Sequence, residues 1–155
     1  MFTIGDTVNT LCAIFEKHRN ERVFVLGTTC VGKTALLEYF PDGVDMDAIA
    51  FQNITAEESE IISRQPWTKE IGDTVDKIVY RNVKVAPGKP VFGTVIVDCD
   101  AVVYLDISDE RLAEHCKSRS VDFQDAFNMK KAIEKDFENH KSLGGKIFYY
   151  VAMAE

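Results

Sequence analysis

The feature that most constrains this chain is the stretch from Glu21 to Phe40, ERVFVLGTTCVGKTALLEYF. Gly27, Gly32, Lys33 and Thr34 satisfy the pattern G-x-x-x-x-G-K-[ST]. The flanks agree with the letters, because Val23 to Leu26 is a short apolar, β-branched run and Ala35 to Phe40 starts a helix-forming one. Strand, glycine-bounded loop and helix, in that order, form the setting in which this pattern has a physical meaning. A polyphosphate needs several backbone N–H donors turned inward around it and a helix N-terminus whose partial positive charge faces it. Lys33 can reach terminal phosphates as a mobile point charge, and the Thr34 hydroxyl can ligate the Mg²⁺ that bridges them. Between the glycines, Thr28, Thr29, Cys30 and Val31 are expected to contribute mainly amides. The competing reading is a glycine turn that feeds an ordinary helix.

The rest of the chain bears on what such a loop could serve. With 155 residues, 46% of them apolar, one domain with a substantial core is expected. Twenty-five acidic against 18 basic side chains give a formal charge of −7 with no basic run, which disfavours general binding to nucleic acid or to an anionic membrane. No charged-then-apolar leader opens the sequence and no apolar run approaches about 18 residues, so we expect neither secretion nor a membrane span. Cys12, Cys30, Cys99 and Cys116 are widely spaced and form no C-x-x-C pair. That spacing suggests neither zinc site nor disulfide framework, and a reducing cytoplasm is the expected compartment.

In chain order, residues 1–18 carry an accessory helix from Asp6, capped there or at Thr7, with Val8, Leu11, Ile14 and Phe15 on one face. After the helix of the loop, Pro41-Asp42-Gly43 turns the chain into Val44-Asp45-Met46-Asp47-Ala48-Ile49. In an extended segment, carboxylates two residues apart project from the same face. Asp45 and Asp47 could then help hold Mg²⁺ and orient or deprotonate an acceptor hydroxyl, or else decorate a solvated loop. Residues 50–82 should hold two helices: one capped by the Thr55/Glu58 box and ended by Pro66, the next from Thr68 with a stripe of Ile71, Val75, Ile78 and Val79. Trp67 sits in the joint between them, packing there or stacking on a ligand. Two buried-strand candidates follow, Val91 to Val97 and Ala101 to Asp106. An acid after such a strand is a candidate ligand of a Mg²⁺-bound water, and Asp98, Asp100 and Asp106 compete for the role. The spacing is short for a full crossover helix, so either the crossover is abbreviated or the first run is shorter than its apolar letters. Ser108 or Asp109 caps the next helix, with Arg111, His115, Lys117 and Arg119. A helix from Asp122 to about Lys141 and a final strand, Lys146 to Val151, complete the reading.

This order of elements, with L-x-x-x-x-x-x-L-x-x-x-x-x-x-R from Leu105, is similar to the small P-loop kinases, the group of the shikimate, gluconate and nucleoside monophosphate kinases. The resemblance covers about Val23 to Val151, and only the P-loop is highly specific. It implies an α/β fold: a three-layer α/β/α sandwich with a mostly parallel sheet of about five strands and an extra N-terminal helix. It also implies transfer of the γ-phosphoryl of ATP to a small-molecule or nucleotide acceptor by a monomer or homodimer. Lys33 and Arg119 would stabilise the moving phosphoryl, and Thr34, Asp45 and Asp98 would hold Mg²⁺. Asp45 or Asp47 would accept the hydroxyl proton, and Arg64 or Arg81 would anchor an anionic acceptor carried by residues 50–82. Residues 108–123 would form the lid, in which Arg119 matches a lid arginine and His115 stands where the group commonly has another. The glycine-rich loop that shikimate kinases carry after the middle strand is absent, since Phe92-Gly93-Thr94 holds one glycine. The group also ends in a helix, whereas this sequence stops at Glu155, so the N-terminal helix is expected to cover the sheet face left bare. A nucleotide-binding switch with slow hydrolysis is the alternative from another functional class.

Overall fold

Strict alternation in the apolar strands sends successive side chains to opposite faces of one sheet. A computed structural model describes residues 3–66 and 68–153 of the chain. Its elements are, in order, α1 (Ile4–Lys17), β1 (Val23–Leu26), α2 (Lys33–Leu37), β2 (Val44–Asp45), α3 (Met46–Ala50), α4 (Ala56–Ile62), α5 (Lys69–Asn82), β3 (Val91–Gly93), β4 (Ala101–Asp106), α6 (Asp109–Ser118), α7 (Phe123–Leu143) and β5 (Ile147–Ala152). The five strands form one sheet in the order β2-β3-β1-β4-β5, and every pairing is parallel.

Val23 and Val25 of β1 and Ala101, Val103 and Leu105 of β4 face one side, where they pack with Leu11 and Ile14 of α1, Leu36 of α2 and Leu112 and Cys116 of α6. Phe24 and Leu26, with Val102 and Tyr104, face the other side and meet Met46 and Ala50 of α3, Val79 of α5 and Ile133 and Phe137 of α7. Helices therefore cover both faces of an all-parallel sheet, as its unbroken apolar strands require.

The N-terminal helix does cover the first of these faces. It is capped earlier than its sequence suggests, at Thr3, in a capping box with Asp6. Leu11 is wholly buried and Ile14 nearly so, each contributing about 1.5–3 kcal/mol on burial. The buried Thr7 hydroxyl donates to the carbonyl of Ala152 at 3.0 Å, which ties the helix to β5. At its end, His18 is buried between Glu21 and the Tyr149 hydroxyl, at 2.8 and 2.7 Å.

Two expectations about local structure change. The apolar run from Val91 is a strand only as far as Gly93; Thr94 to Asp100 lead irregularly into β4, so the first run is indeed the shorter one. The second concerns residues 108–123, which make no excursion from the body of the molecule. Arg119 ends α6, Val121 N–H bonds back to the carbonyl of Cys116 at 2.9 Å, and Asp122 already caps α7. That is a tight helix–helix turn. Trp67 lies outside the described residues.

Candidate functional site

β1 lies inside the sheet between β3 and β4, so the chain leaves β1 toward one edge and later returns to its other side. The carboxyl ends of strands at such a reversal open a crevice. Gly27 to Thr34 fills it. Gly32 adopts φ +110° immediately before α2, a conformation that side chains rarely take. Cys30 also has positive φ, +63°, and its carbonyl accepts a hydrogen bond from His115 Nδ1 at 2.7 Å. A carbonyl can only accept, so Nδ1 carries the hydrogen. His115 thus braces the loop from α6.

The other residues between the glycines do more than offer amides. Thr28 is buried, and its hydroxyl donates to the carbonyl of Ala126 in α7 at 3.1 Å. Val31 and the Cys30 side chain belong to the core. Thr29 N–H points at the sulfur of Met129, 3.4 Å away. Lys33 folds over the loop and donates from Nζ to the carbonyls of Gly27 and Thr28, both at 2.7 Å. Burial pushes its ammonium down to about 8 against the opposing pull of the Asp47 and Asp45 carboxylates, and Arg119 is near enough to add a repulsion.

A cavity of about 300 Å³ opens here. It is lined by the polar residues Thr29, Lys33, Thr34, Asp45, Asp47, Thr94 and Arg119, by Cys30 and Gly32 of the loop, and by the apolar residues Leu37, Met46, Phe51, Ile62, Val75 and Met129. Seven separated segments thus contribute to it. Asp45 and Asp47 both reach the cavity, by a different geometry from the one their spacing predicts. The strand ends at Asp45, whose Oδ1 accepts Asp47 N–H at 3.0 Å as the N-cap of α3, so Asp47 stands in the first turn of a helix. Burial, and then the neighbouring Asp45, raises the Asp47 carboxyl above the ordinary range, with Lys33 opposing.

Asp98 is not part of this site. It precedes β4, at the amino end of the sheet, with 83% of its side chain exposed and an ion pair to Arg22 at 2.7 Å. Asp100 shares that arginine, at 3.1 Å, and accepts the Arg22 N–H at 2.8 Å. Asp106 is at the carboxyl end but lines a second cavity of about 260 Å³ with Tyr104, Glu134 and Tyr150. None of the three acids after the apolar strands meets the loop. The residue beside it after β3 is Thr94.

Arg64 and Arg81 are also set apart. Arg64 is held by Glu60 at 2.7 Å and Glu70 at 3.2 Å, and Arg81 forms a two-pronged pair with Glu58 at 2.9 and 3.0 Å. Arg81, joined by the Thr55 backbone, holds the Glu58 carboxyl down to about 2. Both guanidinium groups brace α4 and α5, which offer the cavity Ile62 and Val75 instead.

Gly93 and Thr94 are the site residues that sequence reasoning missed. A Cβ on Gly93 would lie 2.6 Å from that of Met46, so the glycine is what lets α3 cross the end of β3 and bring its two aspartates to the loop. A glycine inside an apolar strand marks such a close approach, and that was the available signal. Mg²⁺ suits the oxygens gathered here, because it is held by one or two carboxylates together with substrate phosphates more often than by a full protein cage. Thr34, Asp45 and Asp47 supply that kind of set, while no cluster of three or more His, Cys, Asp or Glu side chains able to hold a metal exists among the described residues. No described helix is long and apolar enough to cross a membrane. No protein-family model matches this chain, and no curated protein matches it.

Proposed function

We propose that this protein is a P-loop phosphotransferase that moves the γ-phosphoryl of ATP to a hydroxyl of a small acceptor. The observation that carries the reading is the single cavity lined by Lys33, Thr34 and Arg119 together with Asp45 and Asp47. The cations and the helix start suit a triphosphate, and the paired carboxylates suit an alcohol that must lose a proton. In this reading Lys33 exchanges the carbonyls of Gly27 and Thr28 for phosphate oxygens, and Arg119 approaches the same phosphates from the end of α6. Thr34 and Asp45 would hold Mg²⁺, which would supply charge neutralisation. The acceptor oxygen attacks the γ-phosphorus, the bond to the β,γ-bridging oxygen breaks, ADP leaves, and the hydroxyl proton passes to Asp47. Asp47 suits the task because its carboxyl is already raised toward the operating range of a base.

A second reading, a nucleotide-binding switch with slow hydrolysis, draws support from how self-satisfied the loop is: Lys33 is bonded to loop carbonyls, Thr29 N–H to Met129, and the residue after β3 is a threonine. ADP release with and without a panel of alcohols, nucleosides and sugars separates the two. Acceptor-dependent release supports the transferase, and release governed by a protein partner supports the switch. In either case Lys33→Met is expected to weaken Mg-ATP binding and to lower turnover by about 10²–10³-fold while the fold persists. Unaltered nucleotide binding in a folded Lys33→Met protein would overturn both readings.

A further inference from the structure

We infer that the acceptor is an uncharged, partly apolar alcohol that carries neither phosphate nor carboxylate, an inference that rests on the phosphotransferase reading above. Recognition of an anionic acceptor needs a cation that the nucleotide leaves free. The cations lining the cavity, among the described residues, are Lys33 and Arg119, and in the phosphotransferase reading both serve the phosphates. The arginines of α4 and α5 that could have served are committed elsewhere, Arg64 to Glu60 and Glu70 and Arg81 to Glu58. An anion entering on the acceptor side would instead meet Asp45 and Asp47, the only carboxylates among the described lining residues, with no compensating charge. The surface it would have to bury against is Phe51, Ile62 and Val75. Such a wall suits a ring face or a carbon skeleton, and the carboxylates suit its hydroxyl. The two arginines that the sequence offers as anchors of an anion are therefore paired between α4 and α5 and do not line the cavity.

The test uses matched pairs that differ in charge: uridine with uridine 5′-monophosphate, thymidine with its 5′-monophosphate, and glucose with gluconate. Calorimetry first measures the binding of Mg²⁺ and adenylyl imidodiphosphate alone, then of each pair member to the nucleotide-loaded protein. The uncharged member of at least one pair is expected to bind 10-fold or more tightly than its anionic partner, at the level set by unpaired buried charge. Ile62→Arg, on a helix with no buried residue, supplies the missing cation without disturbing the core and is expected to narrow or reverse that preference. Failure of the imidodiphosphate to bind would remove the phosphotransferase reading and this inference with it. Nucleotide binding with an anionic member bound as tightly as its partner, or with no uncharged member bound at all, would overturn the inference alone. Unchanged affinities in Arg64→Gln and Arg81→Gln are expected as well, and loss of anion binding in either would overturn the argument from their pairing.

Discussion

Two D-x-D triplets occur in this chain, Asp45-Met46-Asp47 and Asp98-Cys99-Asp100, and they have opposite fates. The second lies before β4, at the amino end of the parallel sheet, where Arg22 takes up both carboxylates. The first lies where β2 ends, beside Lys33 and Arg119, in a cavity. In each triplet the middle residue is buried, Met46 against Gly93 and Cys99 in the same core layer. The local pattern is shared, and the end of the sheet decides the chemistry. In an all-parallel sheet the carboxyl ends gather the loops that precede helices, while the amino ends gather their returns. A pair of acids at the amino end finds an arginine and becomes structural. The same pair at the carboxyl end finds a loop whose lysine is bonded only to backbone carbonyls.

The largest contrast should come from neutralising the two triplets in turn. Asp45→Asn with Asp47→Asn is expected to lower acceptor-dependent turnover by about 10²-fold or more and to leave ATP affinity nearly intact. Asparagine still caps α3 from position 45, so thermal stability should hold. Asp98→Asn with Asp100→Asn is expected to leave turnover alone. Steady-state rates and melts on the two double variants make the comparison, and equal rates in both would end the distinction.

The pH dependence sharpens it. With the Lys33 ammonium lowered to about 8 by burial, kcat/KM should fall as pH rises through about 8, as the lysine loses its charge. The rising limb should lie above the ordinary carboxylate range because Asp47 must lose a proton that burial and Asp45 make it hold. Asp47→Asn should remove that limb and leave the alkaline one, whereas substitutions at Asp98 and Asp100 should leave both in place.

The smallest effect belongs to the amino end. Arg22 holds the carboxyls of Asp98 and Asp100 below their ordinary value. A carboxyl lowered in the folded state contributes stability that is whole above its unfolded value and is lost as pH falls through the folded one. Arg22→Ala should therefore cost a modest drop in Tm near neutrality and little in strong acid, with turnover unchanged. Melting curves across that acid range check the sign, and a drop that persists in acid would mean that Arg22 acts through packing.

Much of this was legible in the residues. The G-x-x-x-x-G-K-[ST] pattern was read as a loop between a strand and a helix, and β1, the loop and α2 follow in that order. Capping residues announced α4 and α5 correctly at Thr55 and Thr68, since a side-chain cap is a contact over three residues. Apolar runs gave four of the five strands, and β2, two residues long, left too short a signal to read as more than an extended segment.

What the sequence determined by itself was therefore whatever depends on neighbours along the chain: the loop, the caps, the alternation of strand faces and the need for helices on both sides of the sheet. Only the tertiary structure decided which acids face the glycine-bounded loop, because strand order, set by burial across the whole sheet, places Asp47 and Asp98 at opposite ends. It also decided that Arg64 and Arg81 brace helices and stay out of the cavity, and that Gly93 admits α3 to it. Each of those outcomes rests on contacts between distant segments, whose energies depend on distance and burial that no local pattern encodes.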